Sequence, residues 1–204
     1  MFKYLVLRLI GPMQSWGLKA SFDERFTETM PTKSGVLGII GAALGLKRED
    51  ESGLKELSSL KMLAACVKDG IIIKDFHTVM DVPCAEGRAK TVVTNRQYLC
   101  DYKFIVVLAG SPELIDRCSS ALKNPHWFTS LGRRSCLPSE PIYVGAYSDI
   151  SLLKESLSKL GYNEECRIIC ESDTGSLEND VPINYAKREF SVRQVSGNPA
   201  DFCW

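Results

Sequence analysis

Only two histidines, His77 and His126, occur in the 204 residues, so general acid–base chemistry has few candidates. No two cysteines are spaced as CxxC, and neither histidine stands at zinc-ligand spacing from a cysteine pair. The eight cysteines, at 66, 84, 100, 118, 136, 166, 170 and 203, therefore read as reduced thiols, several of them buried as small apolar side chains. No metal and no cofactor is expected. The GxxxxGK[ST] phosphate loop, the nucleophile elbow and paired-carboxylate spacing are all missing, which argues against a nucleotide triphosphatase, a serine hydrolase and a glycosidase. The longest apolar run, 36–46, is too short to cross a bilayer, and the opening YLVLRLI is interrupted by Arg8 and has no cleavage site. A cytoplasmic protein with no membrane partner is expected.

Net charge is absent as well: 25 basic residues balance 25 acidic ones, which excludes a nonspecific nucleic-acid sponge. The balance is uneven along the chain. Residues 164–180 hold six acids against Arg167 alone, leaving an opposite excess elsewhere that would let one face take a polyanion. Length and a 45% hydrophobic content fit one globular domain, or one with a small appendage. There is no internal repeat and no low-complexity segment.

What is present centres on residues 11–45, GPMQSWGLKASFDERFTETMPTKSGVLGIIGAALG. Gly11-Pro12 ends a preceding strand at 4–10, and Pro31 prepares a helix over 32–46 capped by Thr32 or Ser34. Gly35, Gly38, Gly41 and Gly45 share one face of that helix, although a glycine costs roughly 1 kcal/mol at each interior position. One reading is that the loop and helix cap hold a phosphate chain, with Trp16, Phe22 and Phe26 as stacking faces beside Lys19, Arg25 and Lys33. The other is that the aromatics fill a core and the glycines admit a neighbour. Spacing alone favours the packing reading.

After a charged turn at 47–52, leucines 54, 57, 60 and 63 suggest a short helix or turn. Strands at 62–68 and 71–75 flank Asp69-Gly70, a dipeptide that favours a tight hairpin. Residues 76–102 lack core periodicity and carry Arg88, Lys90 and Arg96, which predicts an extended hairpin projecting from the body. KFIVVLA at 103–109 is the clearest strand, and Ser111-Pro112 starts a helix reaching about 122. An extended, proline-bearing path covers 124–144, with Arg133 and Arg134 in a tight turn suited to bidentate phosphate binding, or with one of them tied to a carboxylate such as Glu140. A short helix at 151–160, an acidic loop at 164–180 and a basic strand at 186–195 complete the chain. The order of elements resembles an α+β, ferredoxin-like (RRM-like) βαββαβ body with a protruding β-hairpin thumb and a small C-terminal extension. Body and thumb (about 77–101) would occupy 1–145, and the extension, completing the body, 146–204. His77 reads as a base, a donor to RNA or a group holding the strand end; His126 beside Trp127 reads as packing.

Several stretches in order resemble one family: LRLIGPMQSWG (7–17), PTKSGVLGIIGAALG (31–45), DFHTV (75–79), YLCDYKFIVVL (98–108), LGRRSCLPSEPIYVG (131–145) and, more weakly, AKREFSVRQV (186–195). Together they are similar to the CasD family of the type I-E CRISPR surveillance complex, Cascade, a RAMP-type family. The resemblance implies a non-catalytic RNA-binding subunit that holds the 5′ handle of CRISPR RNA and caps the filament of backbone subunits. It also implies contact with the large subunit, and with target DNA only indirectly through the complex. Carried onto matching stretches, the handle surface would involve Gln14, Ser15, Trp16, Arg25, Lys33 and Ser34. His77 and the thumb with Arg88, Lys90 and Arg96 would lie across the RNA, and Arg133 and Arg134 match the family's arginine pair. A fixed, bent handle calls for splayed bases and gripped phosphates, which suits an irregular aromatic loop. The competing expectation is a metal-independent endoribonuclease that processes precursor CRISPR RNA, as in a related branch, using His77 with Lys90 or Tyr98.

Overall fold

The computed structural model describes residues 2–17, 23–83, 87, 89–202 and 204. Among the described residues, ten strands and four α-helices follow one another as β1 (Lys3–Ile10), β2 (Met13–Gln14), β3 (Glu24–Arg25), α1 (Lys33–Leu44), α2 (Glu51–Ser58), β4 (Lys61–Lys68), β5 (Ile71–Pro83), β6 (Ala89–Cys100), β7 (Lys103–Gly110), α3 (Pro112–Lys123), β8 (Tyr143–Tyr147), α4 (Ile150–Lys159), β9 (Arg167–Asn184) and β10 (Glu189–Ser196). A mixed α/β fold results, with antiparallel strands forming its main sheet in the order β10-β9-β4-β7-β1-β8.

The central strands are apolar on both faces because both faces are covered. Along β7, Phe104, Val106 and Leu108 enter one core, while Ile105, Val107 and Ala109 enter the other. The first core packs against Val36, Leu37, Ile39 and Ile40 of α1, Leu57 of α2, and Leu114, Ile115 and Cys118 of α3. The second packs under Leu153 and Leu157 of α4 and under Phe202 and Trp204. Each fully buried side chain of this size contributes about 1.5–3 kcal/mol. The sheet face beneath α4 is thus closed by protein, as is the face beneath α1, α2 and α3.

Helix α1 starts where the sequence places it. The Thr32 Oγ1 accepts the Gly35 N–H at 3.2 Å, and Gly45, at φ 77°, closes the other end in a left-handed turn. The glycines between meet different neighbours rather than one strand: Gly35 the Trp16 ring, Gly38 the Tyr185 phenol, Gly41 the Leu46 and Leu57 side chains, and Gly45 the His126 ring.

Two expectations are corrected here. Asp69-Gly70 does not turn one strand back onto its neighbour: β4 pairs with β7 and β9, whereas β5 pairs with β6 in a second, four-stranded sheet. A Cβ at Gly70 would lie 1.8 Å from the Cys100 carbonyl oxygen, so glycine is needed where the chain passes between sheets. The acidic stretch 164–180 is no loop. Most of it is β9, an 18-residue strand paired with β4 at its start and with β10 along its length, with register shifts on the way. Its middle is exposed on both sides, so it carries no apolar alternation from which a strand could be read.

The projecting hairpin is present. Strands β5 and β6 pair antiparallel from Ile71↔Cys100 to Pro83↔Ala89, with a break between Val79 and Val82 where Asp81 takes φ 55°. The opposite edge of β6 receives β2 and β3, which fastens the root of the hairpin to the loop before α1. The tip residues 84–86 and Arg88 lie outside the described residues.

Candidate nucleic-acid interface

A cleft of about 650 Å³ opens over α1. Its floor is one face of that helix, from Ser34, Gly35 and Gly38 to Gly41 and Ala42. One wall is Ser15 to Gly17 with Arg25 and Phe26, the other is the loop carrying Trp127, Phe128 and the Gly132–Arg134 turn, and Tyr185 with Phe190 stands behind. Among the described residues, Arg25, Lys47, Arg48, Arg133 and Arg134 line it without one carboxylate, so a polyanion is favoured there. The Tyr185 phenol donates to the Ser34 carbonyl at 2.6 Å, and burial raises its pKa well above the ordinary tyrosine value, which keeps it a donor. The described lining residues thus offer stacking faces, cations and hydroxyls, and no group poised as a base.

The helix cap itself is already occupied by protein. The Lys33 N–H donates to Asp180 Oδ2 at 2.6 Å, and the same carboxylate takes Arg193 Nε at 2.6 Å and Nη2 at 2.9 Å. The Lys33 ammonium, 2% exposed, pairs with Glu171 at 2.8 Å and donates to the Ser58 carbonyl at 2.9 Å. Burial lowers the Lys33 pKa, and the Glu171 carboxylate opposes that shift. A partial positive charge at the N-terminus of a helix attracts an anion, and here the C-terminal ribbon of β9 and β10 supplies it.

The residues expected at the surface divide accordingly. Gln14 is buried; its amide nitrogen donates to the Leu9 and Tyr102 carbonyls at 3.2 and 2.9 Å. The Trp16 ring is buried against Gly35 and donates to Gln14 Oε1 at 3.3 Å. The Gln14, Trp16 and Lys33 side chains are thus buried, with Trp16 also lining the cleft, and they support it from beneath. Ser15 and Ser34 are largely covered but line it, and Arg25 is exposed at its edge. Arg133 is tied to carbonyls rather than to Glu140: it donates to Gln97 O at 2.9 Å and Arg25 O at 3.0 Å and stacks on Tyr98 with 4.5 Å to the ring centre. Glu140 pairs with Arg8 instead, at 2.7 Å. Arg134 is exposed with no ion-pair partner among the described residues.

The thumb residues do not line the cleft, although Arg96 lies beside Arg25 at its edge. His77 lies opposite Thr94, half-exposed, with Nδ1 3.8 Å from Asp75. Arg96 donates to Thr94 Oγ1 at 3.1 Å, and Lys90 is exposed opposite Val82. Phe76 and Met80, 69% and 73% exposed, leave the hairpin with an apolar surface that water does not favour. The groups named for RNA cleavage are not gathered: at about 3.3 Å per residue, Lys90 and Tyr98 each lie roughly 13 Å along β6 from the partner of His77, and Tyr98 is buried beneath Arg133. Among the described residues no group of three metal-ligating side chains occurs, and the Cys66, Cys100, Cys118, Cys136 and Cys166 thiols form no disulfide.

The cleft also contains residues that the sequence assigns elsewhere. Lys47 and Arg48 read as a solvated turn, and Trp127 reads as a partner of His126, which does meet its ring edge-on at 5.2 Å. The one sequence signal was composition, aromatics and cations alike, but they stand about 80 positions apart and only the fold joins them.

Residues 4–196 match the Cas5d family, described as CRISPR-associated protein (Cas_Cas5). The chain belongs to the Cas5 family. This Cas5 chain is 37% identical, across 71% of each sequence, to the CRISPR system Cascade subunit CasD of Escherichia coli K12. It is also similar to a solved structure described as a CRISPR RNA-guided surveillance complex, with 31% identity, a TM-score of 0.76 and coverage of 94% of this chain and 88% of the other. A crystal structure of a Cas protein matches at 32% identity and a TM-score of 0.74, over 95% and 92% of the two chains. The mixed α/β architecture and antiparallel sheets of this Cas5 chain are thus those of its relatives.

Proposed function

We propose that this protein is a non-catalytic subunit of a type I-E CRISPR Cascade complex that holds the 5′ handle of CRISPR RNA in the cleft over α1. The observation that carries the reading is a cleft whose described residues offer five basic side chains, several aromatic faces and no carboxylate. Phosphates are gripped by such cations, and unpaired bases stack on such rings. Membership of the Cas5 family and the likeness to CasD support the assembly context. Ser15, Arg25, Ser34 and Arg134 would meet the handle, with Gln14, Trp16, Lys33 and Arg133 shaping the surface. His77, Lys90, Arg96 and the thumb, including Arg88, would lie across the RNA where handle gives way to spacer.

The order β4-β7-β1-β8, with α1 between β1 and β4 and α3 between β7 and β8, supports reading the core as a ferredoxin-like βαββαβ sandwich. Strands β9 and β10 extend the same sheet, so 146–204 completes the 1–145 body. The protein would cap the filament of backbone subunits, touch the large subunit and meet target DNA only through the complex, in the cytoplasm.

The test is binding of purified protein to single-stranded RNA bearing the cognate repeat's 5′ end, against the same RNA with that end scrambled. Preference for the native end is expected, with the RNA intact after incubation in EDTA. Equal binding of both sequences refutes handle recognition. Site-specific cleavage lost in His77→Ala refutes the non-catalytic role.

A further inference from the structure

Among the described residues β5 pairs only with β6, so its other edge presents a row of unpaired N–H and C=O groups along 71–79. The side chains beside that edge are apolar and in water: Ile71, Ile72, Phe76 and Met80 are 64%, 49%, 69% and 73% exposed. A charged side chain often guards such an edge, but Lys74 leans the other way, across β6 to Glu24 on β3 at 3.6 Å. We infer that the free protein forms a two-fold dimer in which the β5 edges of two copies pair antiparallel, centred on Phe76. This inference does not rest on the RNA-binding reading, and either stands if the other fails.

The order of residues along β5 selects the register. Two copies of one strand paired about a two-fold axis set one residue opposite itself, and the positions before it opposite those after it. With Phe76 on the axis, Ile73 faces Val79, Ile72 faces Met80, Lys74 faces Thr78 and Asp75 faces His77 of the second copy. Directly opposed residues share a face of the sheet. Apolar side chains therefore meet apolar ones, and each Asp75 carboxylate meets an imidazole able to donate to it. The neighbouring registers are poorer. Lys74 or Asp75 on the axis sets like charges against each other, and Thr78 on the axis sets Asp75 against Asp81. His77 on the axis leaves Lys74 against Met80 and Asp75 against Val79. The strand also ends the matched run itself, because its pairing breaks between Val79 and Val82, where Asp81 takes φ 55°. A strand of another protein would meet the same backbone groups, but only a second copy uses the self-complementary pattern about Phe76.

The test is sedimentation equilibrium of the purified full chain, without RNA, over a concentration series. A monomer–dimer equilibrium is expected. Phe76→Asp sets two carboxylates against each other on the axis and should raise the dimer dissociation constant on the order of tenfold or more. Its melting temperature, measured where both proteins are monomeric, should stay near that of the wild type, since the ring is exposed. The register is read by disulfide mapping with mass spectrometry after incubation in oxidised glutathione. Phe76→Cys should cross-link to itself, whereas Lys74→Cys should cross-link to Thr78→Cys when the two variants are mixed. A wild type that stays monomeric throughout refutes the inference, as does a dimer whose dissociation constant Phe76→Asp leaves unchanged. Growth beyond dimers, or self-cross-linking of Lys74→Cys as readily as of Phe76→Cys, refutes the two-fold register.

Discussion

Replacing Asp180 with alanine removes the acceptor of three hydrogen bonds, from the Lys33 N–H at 2.6 Å and from Arg193 at 2.6 and 2.9 Å. Arg193 stays buried, with only Glu171 among the described residues within ion-pair range, at 3.6 Å. Taking one partner out of a buried ion pair costs about 3–5 kcal/mol, because the remaining charge keeps its desolvation penalty. For a chain of this length each kcal/mol lowers Tm by about 2–4 °C, so Asp180→Ala should melt roughly 6–20 °C below the wild type. Asp180→Asn keeps an oxygen for the Lys33 N–H but cannot neutralise Arg193, and should fall between the two. Adding Arg193→Met to Asp180→Ala should recover part of the loss, since the stranded charge is gone. As a control, Glu56→Ala breaks an exposed pair with Arg117 and should cost under about 1 kcal/mol. Thermal and urea melts at fixed protein concentration make the measurement. An Asp180→Ala stability within about 1 kcal/mol of the wild type would refute the idea that the C-terminal ribbon is locked to α1 by this charge cluster.

The arginine pair should separate by role: Arg133→Ala should lower the melting temperature, because Arg133 ties the Gln97 and Arg25 carbonyls and covers Tyr98. Arg134→Ala should leave melting unchanged but weaken RNA binding and flatten its salt dependence by about one charge; the opposite pattern in calorimetry and salt titration would reverse the assignment. Gly132, at φ 93°, would place a Cβ 1.7 Å from the Ser15 carbonyl oxygen, so Gly132→Ala should destabilise the protein by about 3 kcal/mol or more, and an unchanged urea midpoint would contradict the close approach. Burial pushes the Cys66 and Cys118 thiols up to about 11 from 9.0. The unfolded chain gives up these protons first, so their stabilising effect is whole below pH 9 and lost as pH rises through about 11. Alkylation of the native protein at pH 8 should therefore spare both; rapid labelling of either thiol there would count against its burial.

Sequence alone determined the elements whose cause is local. Thr32 and Ser111 announce their helices because a hydroxyl before a helix satisfies free N–H groups, and KFIVVLA declares a strand buried on both faces by being apolar throughout. The projecting hairpin was legible from its want of core periodicity. The tertiary structure decided everything that depends on who faces whom. Lys33 looks like a phosphate ligand in the sequence and becomes half of a buried ion pair, because β9 brings Glu171 to it from far along the chain. The acidic stretch looks like a loop and becomes a strand, because β10 satisfies its backbone and Arg193 and Lys33 neutralise its buried acids. Trp127 and Arg48 look like packing and solvent, and together line one cleft. Capping and alternation act over a few residues and are written in order; charge pairing and clefts join residues from distant parts of the chain, and only the folded path sets those distances.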